Sequence, residues 1–435
     1  MRVCGVYFVF VILLSACTNG VSHLDIALQQ AKHNKAELEK VLKHFKHDSL
    51  KYRAACFLIE NMPGKYSILP YDSLDRYKNF LKIIPQNDPI SWDVRYSKIW
   101  HGFDSISKRQ LAGFSKIEDI KVITGDYLIK NIEYSFKIWE NGKIKDYCSF
   151  DEFCHYILPY RIDHEPLSDW REEGFQKFGH LLDSLMSPRE LALRIIKLGG
   201  MRYNIGMTKY PYKQSYAEML QTRWGTCDDM AAFLALSLRA IGIPASIDYV
   251  PAWANRSSSH CWNVVKDATG DFIEVGYGPE GKNEVVYKIS KIYRKKYDIP
   301  LCDVTSEYAM PLSDLTFRVP SQKDKQLISL CTFNNYDWVP VALSKVMNGG
   351  VLFESVGRGI LWGDNQIRTY LNEGKGIVFL AFISQKGRLN NKPIGFPVIL
   401  LEDGTIKELC ASTEKESIIL CLLYTSPSPR DSTSS

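Results

Sequence analysis

Cys227 is the residue of this sequence whose setting most favours nucleophilic chemistry. It follows Thr226, a good helix N-cap, and Asp229 completes a capping box, so the pattern predicts a helix that starts at Cys227. Gly242 and Pro244 predict its end. One apolar face recurs at helical spacing and comprises Cys227, Met230, Ala231, Leu234, Leu238 and Ile241. The partial positive charge and free N–H groups of a helix N-terminus favour a thiolate and can hold a developing oxyanion.

His260 is the candidate base for that thiol. It opens the apolar run Cys-Trp-Asn-Val-Val, which predicts a strand, and a polar turn from Lys266 to Asp271 leads to a second strand, Phe272 to Val275. A helix with Cys, a strand with His and a strand with an acid follow the order of a Cys-His-acid triad. The alternative is that Cys227 is a small buried apolar residue and His260 a structural histidine.

Three motifs resemble the core of the transglutaminase-like superfamily: Gly-Thr-Cys227-Asp-Asp-Met-Ala, the helix ending Leu-Arg-Ala-Ile-Gly-Ile-Pro, and His260-Cys-Trp-Asn. The resemblance covers about residues 187–300 and implies a papain-like fold and acyl transfer through a cysteine thioester. Two flanking segments, Arg53–Pro63 and Lys291–Tyr297, resemble envelope members of the superfamily in Bacteroides-type bacteria.

The third triad residue departs from the family pattern. An acid normally occupies the strand after the histidine strand, but Gly276 stands at that place. Glu274, two residues earlier, points to the same strand face and is our candidate, with Asp271 and Glu280 as fallbacks. The alternative for Glu274 is an exposed strand carboxylate. A displaced acid would slow the chemistry without abolishing it, because the acid only orients the imidazole and stabilises its charge.

Other residues near the thiol are weaker candidates. Gln221 precedes Cys227 by six residues, the spacing at which papain-type enzymes place an oxyanion-hole glutamine. Trp224 and Trp253 could line an acyl-binding groove or be buried core. The carboxylates of Asp228 and Asp229 are expected to raise the pKa of the thiol, against the helix dipole.

The N-terminus predicts export. A basic residue, an apolar run from Val6 to Leu14 and small residues up to Cys17 form a secretory signal that is too short to span a membrane. Leu14-Ser-Ala-Cys17 resembles a bacterial lipobox, which implies cleavage before Cys17, lipid on its thiol and attachment to the cell envelope. Thr18 gives no inner-membrane retention signal, so the outer membrane is expected. The alternative is an ordinary signal peptide.

The C-terminal end of the sequence differs in character from the rest of the chain. The segment 422–432 begins abruptly, is rich in Ser and Pro, and resembles translated sequencing-adapter read-through, so we expect 421–435 to be artefactual and the native protein to continue past Leu420. The alternative is a genuine disordered tail.

Composition excludes several functions. A formal charge of +5 over 435 residues predicts no nucleic-acid partner. The spacing of Cys148, Cys154 and His155 fits no zinc pattern, so no metal or other cofactor is expected. The segment Gly276–Gly281 matches G-x-G-x-x-G, but Pro279 interrupts it and no helix follows, so it predicts a loop rather than a nucleotide site.

The chain is expected to be α+β with a papain-like transglutaminase core. After the signal (1–17), helical spacing predicts a mainly helical region over 18–185, the core follows at 186–300, and short alternating apolar runs predict a β-sandwich-like domain at 301–420. Together these features predict an exported cysteine enzyme acting on a peptide or protein, with hydrolysis favoured over transamidation. The rival prediction is a non-catalytic envelope binding protein on the same fold.

Overall fold

A computed structural model describes residues 22–69, 115–141, 143–183, 185–203, 213–283, 287–299, 301–319, 326–334, 337–360, 376–385 and 388–410. The signal segment with Cys17, residues 70–114 of the predicted helical region, and residues 421–435 lie outside these ranges.

The fold is α+β, as predicted, with its helices in the first two thirds of the described chain. The α-helices are α1 (His23–Ala31), α2 (Lys35–Phe45), α3 (Ser49–Glu60), α4 (Gly125–Asn141), α5 (Phe150–Tyr156), α6 (Trp170–Phe178), α7 (Pro188–Gly199), α8 (Tyr216–Thr222) and α9 (Cys227–Ala240). Side-chain caps set many of their starts. Capping boxes begin α5 at Ser149, α7 at Ser187 and α9 at Thr226.

The strands fall into small pairs and two larger antiparallel sheets. They are β1 (Tyr66–Leu69), β2 (Ser115–Glu118), β3 (Arg202–Tyr203), β4 (Trp224–Gly225), β5 (Ala245–Val250), β6 (His260–Lys266), β7 (Phe272–Val275), β8 (Lys288–Ile289), β9 (Tyr293–Arg294), β10 (Cys302–Asp303), β11 (Leu312–Arg318), β12 (Leu327–Asn334), β13 (Asp337–Lys345), β14 (Gly350–Gly357), β15 (Gly359–Ile360), β16 (Gly376–Gln385), β17 (Arg388–Pro393), β18 (Val398–Leu401) and β19 (Ile406–Glu408).

The helices α1 to α5 form an N-terminal helical layer around one apolar core. Leu38, Leu58, Phe136 and Phe153 are among its fully buried side chains. The same cluster includes Tyr297, whose hydroxyl donates to Leu58 O at 3.2 Å. The segment between β9 and β10 therefore packs into the helical layer.

The central sheet has the order β10-β9-β5-β6-β7, and α9 packs across one of its faces. Alternation along β6 sends Cys261 and Val265 towards the helices and Trp262 and Val264 to a second core on the opposite face. The side-chain amide of Asn263 donates to Ala231 O at 2.8 Å and so joins β6 to α9. This sheet and helix position Cys227 and His260.

The C-terminal strands form two sheets that share a core, as the sequence pattern predicts. One pairs β11 with β14, and the other has the order β13-β12-β16-β18-β19 with β17 on β16. Leu315 and Phe353 from the first sheet and Leu330 and Phe379 from the second belong to one buried cluster.

Two further properties concern the described ranges alone. No helix there is both long and apolar enough to cross a membrane. The cysteines within those ranges are free thiols.

Candidate active site

The backbone before α9 places Cys227 at the first helical position. Arg223 takes a left-handed conformation (φ 52°) and ends α8, and Thr226 is extended (φ −76°, ψ 176°). The carboxylate of Asp229 accepts from Thr226 N and from Thr226 Oγ1, both at 2.9 Å. A side chain on Gly225 would come within 2.6 Å of Asp229 Cβ, so the approach to the helix requires glycine. The N–H groups of Cys227 and Asp228 lie in the first turn, where the helix itself offers no acceptor.

The Cys227 thiol contacts two neighbours from the start of β6. Hydrogen bonds with Cys261 and then His260 lower its pKa to about 5, although burial and the Asp228 carboxylate oppose the shift. The shared hydrogen bond, burial and Asp228 raise the pKa of Cys261 well above its usual range. The opposite shifts make Cys227 the more acidic of the two thiols and Cys261 the hydrogen-bond donor between them. The Cys261 Sγ also lies 3.3 Å from Asp228 Oδ1, a second acceptor for its proton.

His260 is the first residue of β6, paired with Val250 at the end of β5. Its ring stacks on Trp253, with centroids 5.8 Å apart and an interplanar angle of 22°. It also lies beside Trp262 at 6.0 Å. Trp253 is buried in the core, so its role here is to support the imidazole from within that core.

The loop between β5 and His260 is anchored by the C-terminal domain, which the sequence did not indicate. The Asn334 amide, at the end of β12, donates to Trp253 O at 2.8 Å and Ser258 O at 3.0 Å. Its carbonyl accepts from Ser258 N at 3.1 Å. A residue of the β-domain thus determines the path of the chain into His260.

A group of alternating charges surrounds Asp228, beside the thiol. Lys213 lies 3.3 Å from Asp228 and 4.0 Å from Asp163, and Lys295 lies 3.1 Å from Asp163. The charge of Lys213 lowers the pKa of Asp228. Burial would raise the pKa of Asp163, but Lys295 and Lys213 lower it well below its usual range. The two lysines offset the negative charge that opposes ionisation of Cys227.

The three candidate acids, Glu274, Asp271 and Glu280, differ in their position relative to His260 and in their exposure. Glu274 pairs with Val264, which is four residues, or ~13 Å of strand, beyond His260. It is half-buried and accepts from Asn283 Nδ2 at 3.1 Å, so it is not a bare surface carboxylate. Asp271 is exposed in the turn at the far end of β7, and the exposed Glu280 lies 3.1 Å from Lys282.

The remaining predicted residues occupy other surroundings. Gln221 lies in the last turn of α8 with an exposed side chain. Trp224 is buried, and its carbonyl accepts from the buried Gln214 amide at 2.8 Å. Within the described ranges, no group of three or more His, Cys, Asp or Glu side chains is arranged to hold a metal ion.

The comparisons with known proteins each cover part of the chain. A solved structure described as a "putative cysteine protease" from Cytophaga hutchinsonii matches with 14% identity and a TM-score of 0.21, covering 45% of this chain and 51% of that one. The chain thus spans about half the length of that protein. No curated protein matches the chain. The family model of the transglutaminase-like superfamily matches residues 180–276, which include Cys227, His260 and Glu274. The protein therefore contains a domain of the transglutaminase-like superfamily.

Proposed function

We propose that this protein is a cysteine-dependent acyl-transfer enzyme that acts at a peptide or carboxamide carbonyl. The observation that carries the proposal is the Cys227 thiol at the N-terminus of α9, hydrogen-bonded to Cys261 and His260, with a pKa of about 5. Such a thiol is a thiolate at neutral pH, and the thiolate is the nucleophile.

In the first half-reaction the Cys227 sulfur attacks the carbonyl carbon. The C=O electron pair moves onto oxygen, where the Cys227 backbone N–H stabilises it. The protonated His260 imidazole gives its proton to the leaving nitrogen as the C–N bond breaks, which leaves a thioester. In the second half-reaction His260 takes a proton from water or an amine, which attacks the thioester and releases the acyl product and the thiolate. Water gives hydrolysis and an amine gives transamidation.

We rank hydrolysis first, as the resemblance to bacterial members of the superfamily implies, with a peptide or protein as substrate. The N-terminal pattern ending at Cys17 supports an exported, lipid-anchored enzyme at the cell envelope, in the outer membrane. The structure does not describe that segment.

A second candidate function is a non-catalytic envelope binding protein. The observation that favours it is Gly276, which stands where the family carries its acid. The two candidates differ in what they require of the thiol, because a scaffold has no need of a reactive Cys227.

Iodoacetamide labelling against pH, followed by peptide mapping, tests the proposal on the chain without its signal. Selective labelling of Cys227 with a midpoint well below the free-thiol value of about 8.5 is expected, and His260→Ala should raise that midpoint. Cys227→Ser should abolish turnover. Cys331→Ser, at a buried position of the C-terminal sheet, is its matched control and should not. A Cys227 that stays inert in the folded protein would favour the binding protein.

Products then distinguish the two reactions. Glutamine-containing peptides and peptide amides are incubated with and without a primary amine and analysed by mass spectrometry. Hydrolysis gives the free carboxylic acid in both samples, because water takes the place of the leaving amine or ammonia. A product that carries the added amine would instead assign a transamidase.

A further inference from the structure

The loop after β7 fills the place of the missing acid with a carboxamide. A Cβ built on Gly276 would lie 2.4 Å from Asn283 Oδ1 and 2.8 Å from Lys282 O. A side chain at position 276 would therefore occupy the space that the Asn283 amide now takes. Glycine at this position is what allows Asn283 to lie over the strand.

The register places this amide beside the histidine. Asn263 pairs with Val275, so the next step along the antiparallel ladder brings Gly276 opposite Trp262. Trp262 and His260 are two residues apart and share a strand face. Residue 276 thus lies at the end of the β6–β7 ladder that is nearer to His260.

Glu274 determines which way the amide points. The amide nitrogen of Asn283 donates to Glu274 Oε2 at 3.1 Å. A carboxylate only accepts hydrogen bonds, so the nitrogen must face Glu274 and the carbonyl oxygen must face the Gly276 side, towards the histidine end of the sheet.

The loop that carries Asn283 is itself held in place. Gly276 N donates to Gly281 O at 2.8 Å, and Arg189 on α7 donates to Glu280 O at 2.7 Å. Gly281 has a φ of 72°, and a Cβ there would lie 2.4 Å from Leu193 on α7. The loop therefore has one conformation against α7 rather than a free surface path.

We propose that Asn283 is the positioning residue for His260: its Oδ1 accepts the ring N–H of the imidazole, and Glu274 holds the amide from behind. The inference deepens the proposed function and rests on it. A neutral carbonyl oxygen fixes the tautomer and orientation of the ring, as an acid does, but adds less stabilisation to the imidazolium. Glu274, the candidate from the sequence, thereby acts through Asn283 rather than on the histidine directly.

The first test compares Asn283→Ala with Lys282→Ala, an exposed neighbour in the same loop, in the labelling assay for Cys227. Asn283→Ala should raise the labelling midpoint by up to about one pH unit, the shift that corresponds to one hydrogen bond, and should therefore slow labelling at pH 5.5 by up to about threefold. Lys282→Ala should match the parent. Equal behaviour of the two variants in a chain whose Cys227 still labels selectively would overturn the role of Asn283 and leave the proposed function standing. Loss of selective labelling in the parent would instead refute the proposed function.

The second test exchanges the carboxylate of residue 274 and the carboxamide of residue 283. Because both side chains keep their size, this variant is less prone to misfold than Asn283→Ala. The double variant Glu274→Gln, Asn283→Asp keeps the net charge and the hydrogen bond but presents a carboxylate to His260. Labelling should persist, and the basic limb of the pH profile of turnover should move to higher pH. An unchanged basic limb in the folded double variant would overturn the proposal, because a purely structural pair would leave it where it is.

Discussion

The thiol pair Cys227–Cys261 makes the most direct test of the site's electrostatics. Cys261→Ala removes the first of the two hydrogen bonds that lower the pKa of Cys227. A hydrogen bond to a charged group contributes about 1.5–3 kcal/mol, and S–H is a weak donor with Asp228 as a competing acceptor 3.3 Å away, so the lower end applies. Since 1.36 kcal/mol corresponds to one pH unit, the pKa of Cys227 should rise by about 1, from about 5 to about 6.

The assay is the rate of iodoacetamide alkylation of Cys227 between about pH 4 and about pH 9, a range that contains both expected midpoints, about 5 and about 6. Alkylation follows the thiolate, so the rate falls as the pH drops through the pKa. At pH 5.5 the thiolate fraction should fall from about three quarters to about one quarter, a roughly threefold loss of rate, whereas at pH 8 the two proteins should agree.

Two control variants distinguish loss of the Cys261 hydrogen bond from a general loss of packing. Cys261→Ser keeps a donor at the same place and should shift the midpoint less than Cys261→Ala. Cys331→Ala makes a comparable change in a buried strand of the C-terminal sheet and should not shift it. If Cys261→Ala leaves the midpoint unchanged while His260→Ala moves it, the thiol hydrogen bond does not set the pKa of Cys227 and the reasoning fails.

Two further predictions concern the surroundings of the site. Lys213→Met removes the cation 3.3 Å from Asp228, so that carboxylate should repel the thiolate more strongly, and alkylation should show a raised pKa of Cys227 at low salt and a smaller rise at high salt. Gly199→Ala should lower the free energy of unfolding by about 1–3 kcal/mol in urea titration, because its Cβ would lie 2.4 Å from a buried phenylalanine ring of α9. Gly395→Ala, whose Cβ meets nothing within 4 Å, should change it by less than about 0.5 kcal/mol, and equal losses would refute the packing argument.

Local patterns were enough to predict the elements that carry the site. The capping residues Thr226 and Asp229 predict the start of α9, and Gly242, which adopts a φ of 84° just after the helix, predicts its end. The apolar run that His260 opens and the polar turn after it likewise predict β6 and β7 within a residue of their observed bounds. Local sequence is enough to predict these elements because helix caps, helix stops and apolar runs depend on residues a few positions apart.

The partners of the thiol and of the imidazole could not be predicted in the same way. Cys261 belongs to an apolar run and carries no sequence signal for a hydrogen bond to Cys227, 34 positions earlier (261 minus 227). Asp163 and Lys213 come together only because separate elements fold against α9. Asn283 follows a stretch that predicts nothing more than a loop.

The sequence by itself determined which residue becomes the thiol at a helix N-terminus and which histidine opens the neighbouring strand, because both depend on short-range signals: the caps of the helix and the apolar run of the strand. The tertiary structure decided what surrounds them. Helix α9 lies against the end of β6, so the side chains of His260 and Cys261, which leave the strand on opposite faces, both contact Cys227. The loop from Gly276 to Asn283 folds back over β7 because Gly276 has no side chain, and that contact exists only once strand, loop and α7 are packed together.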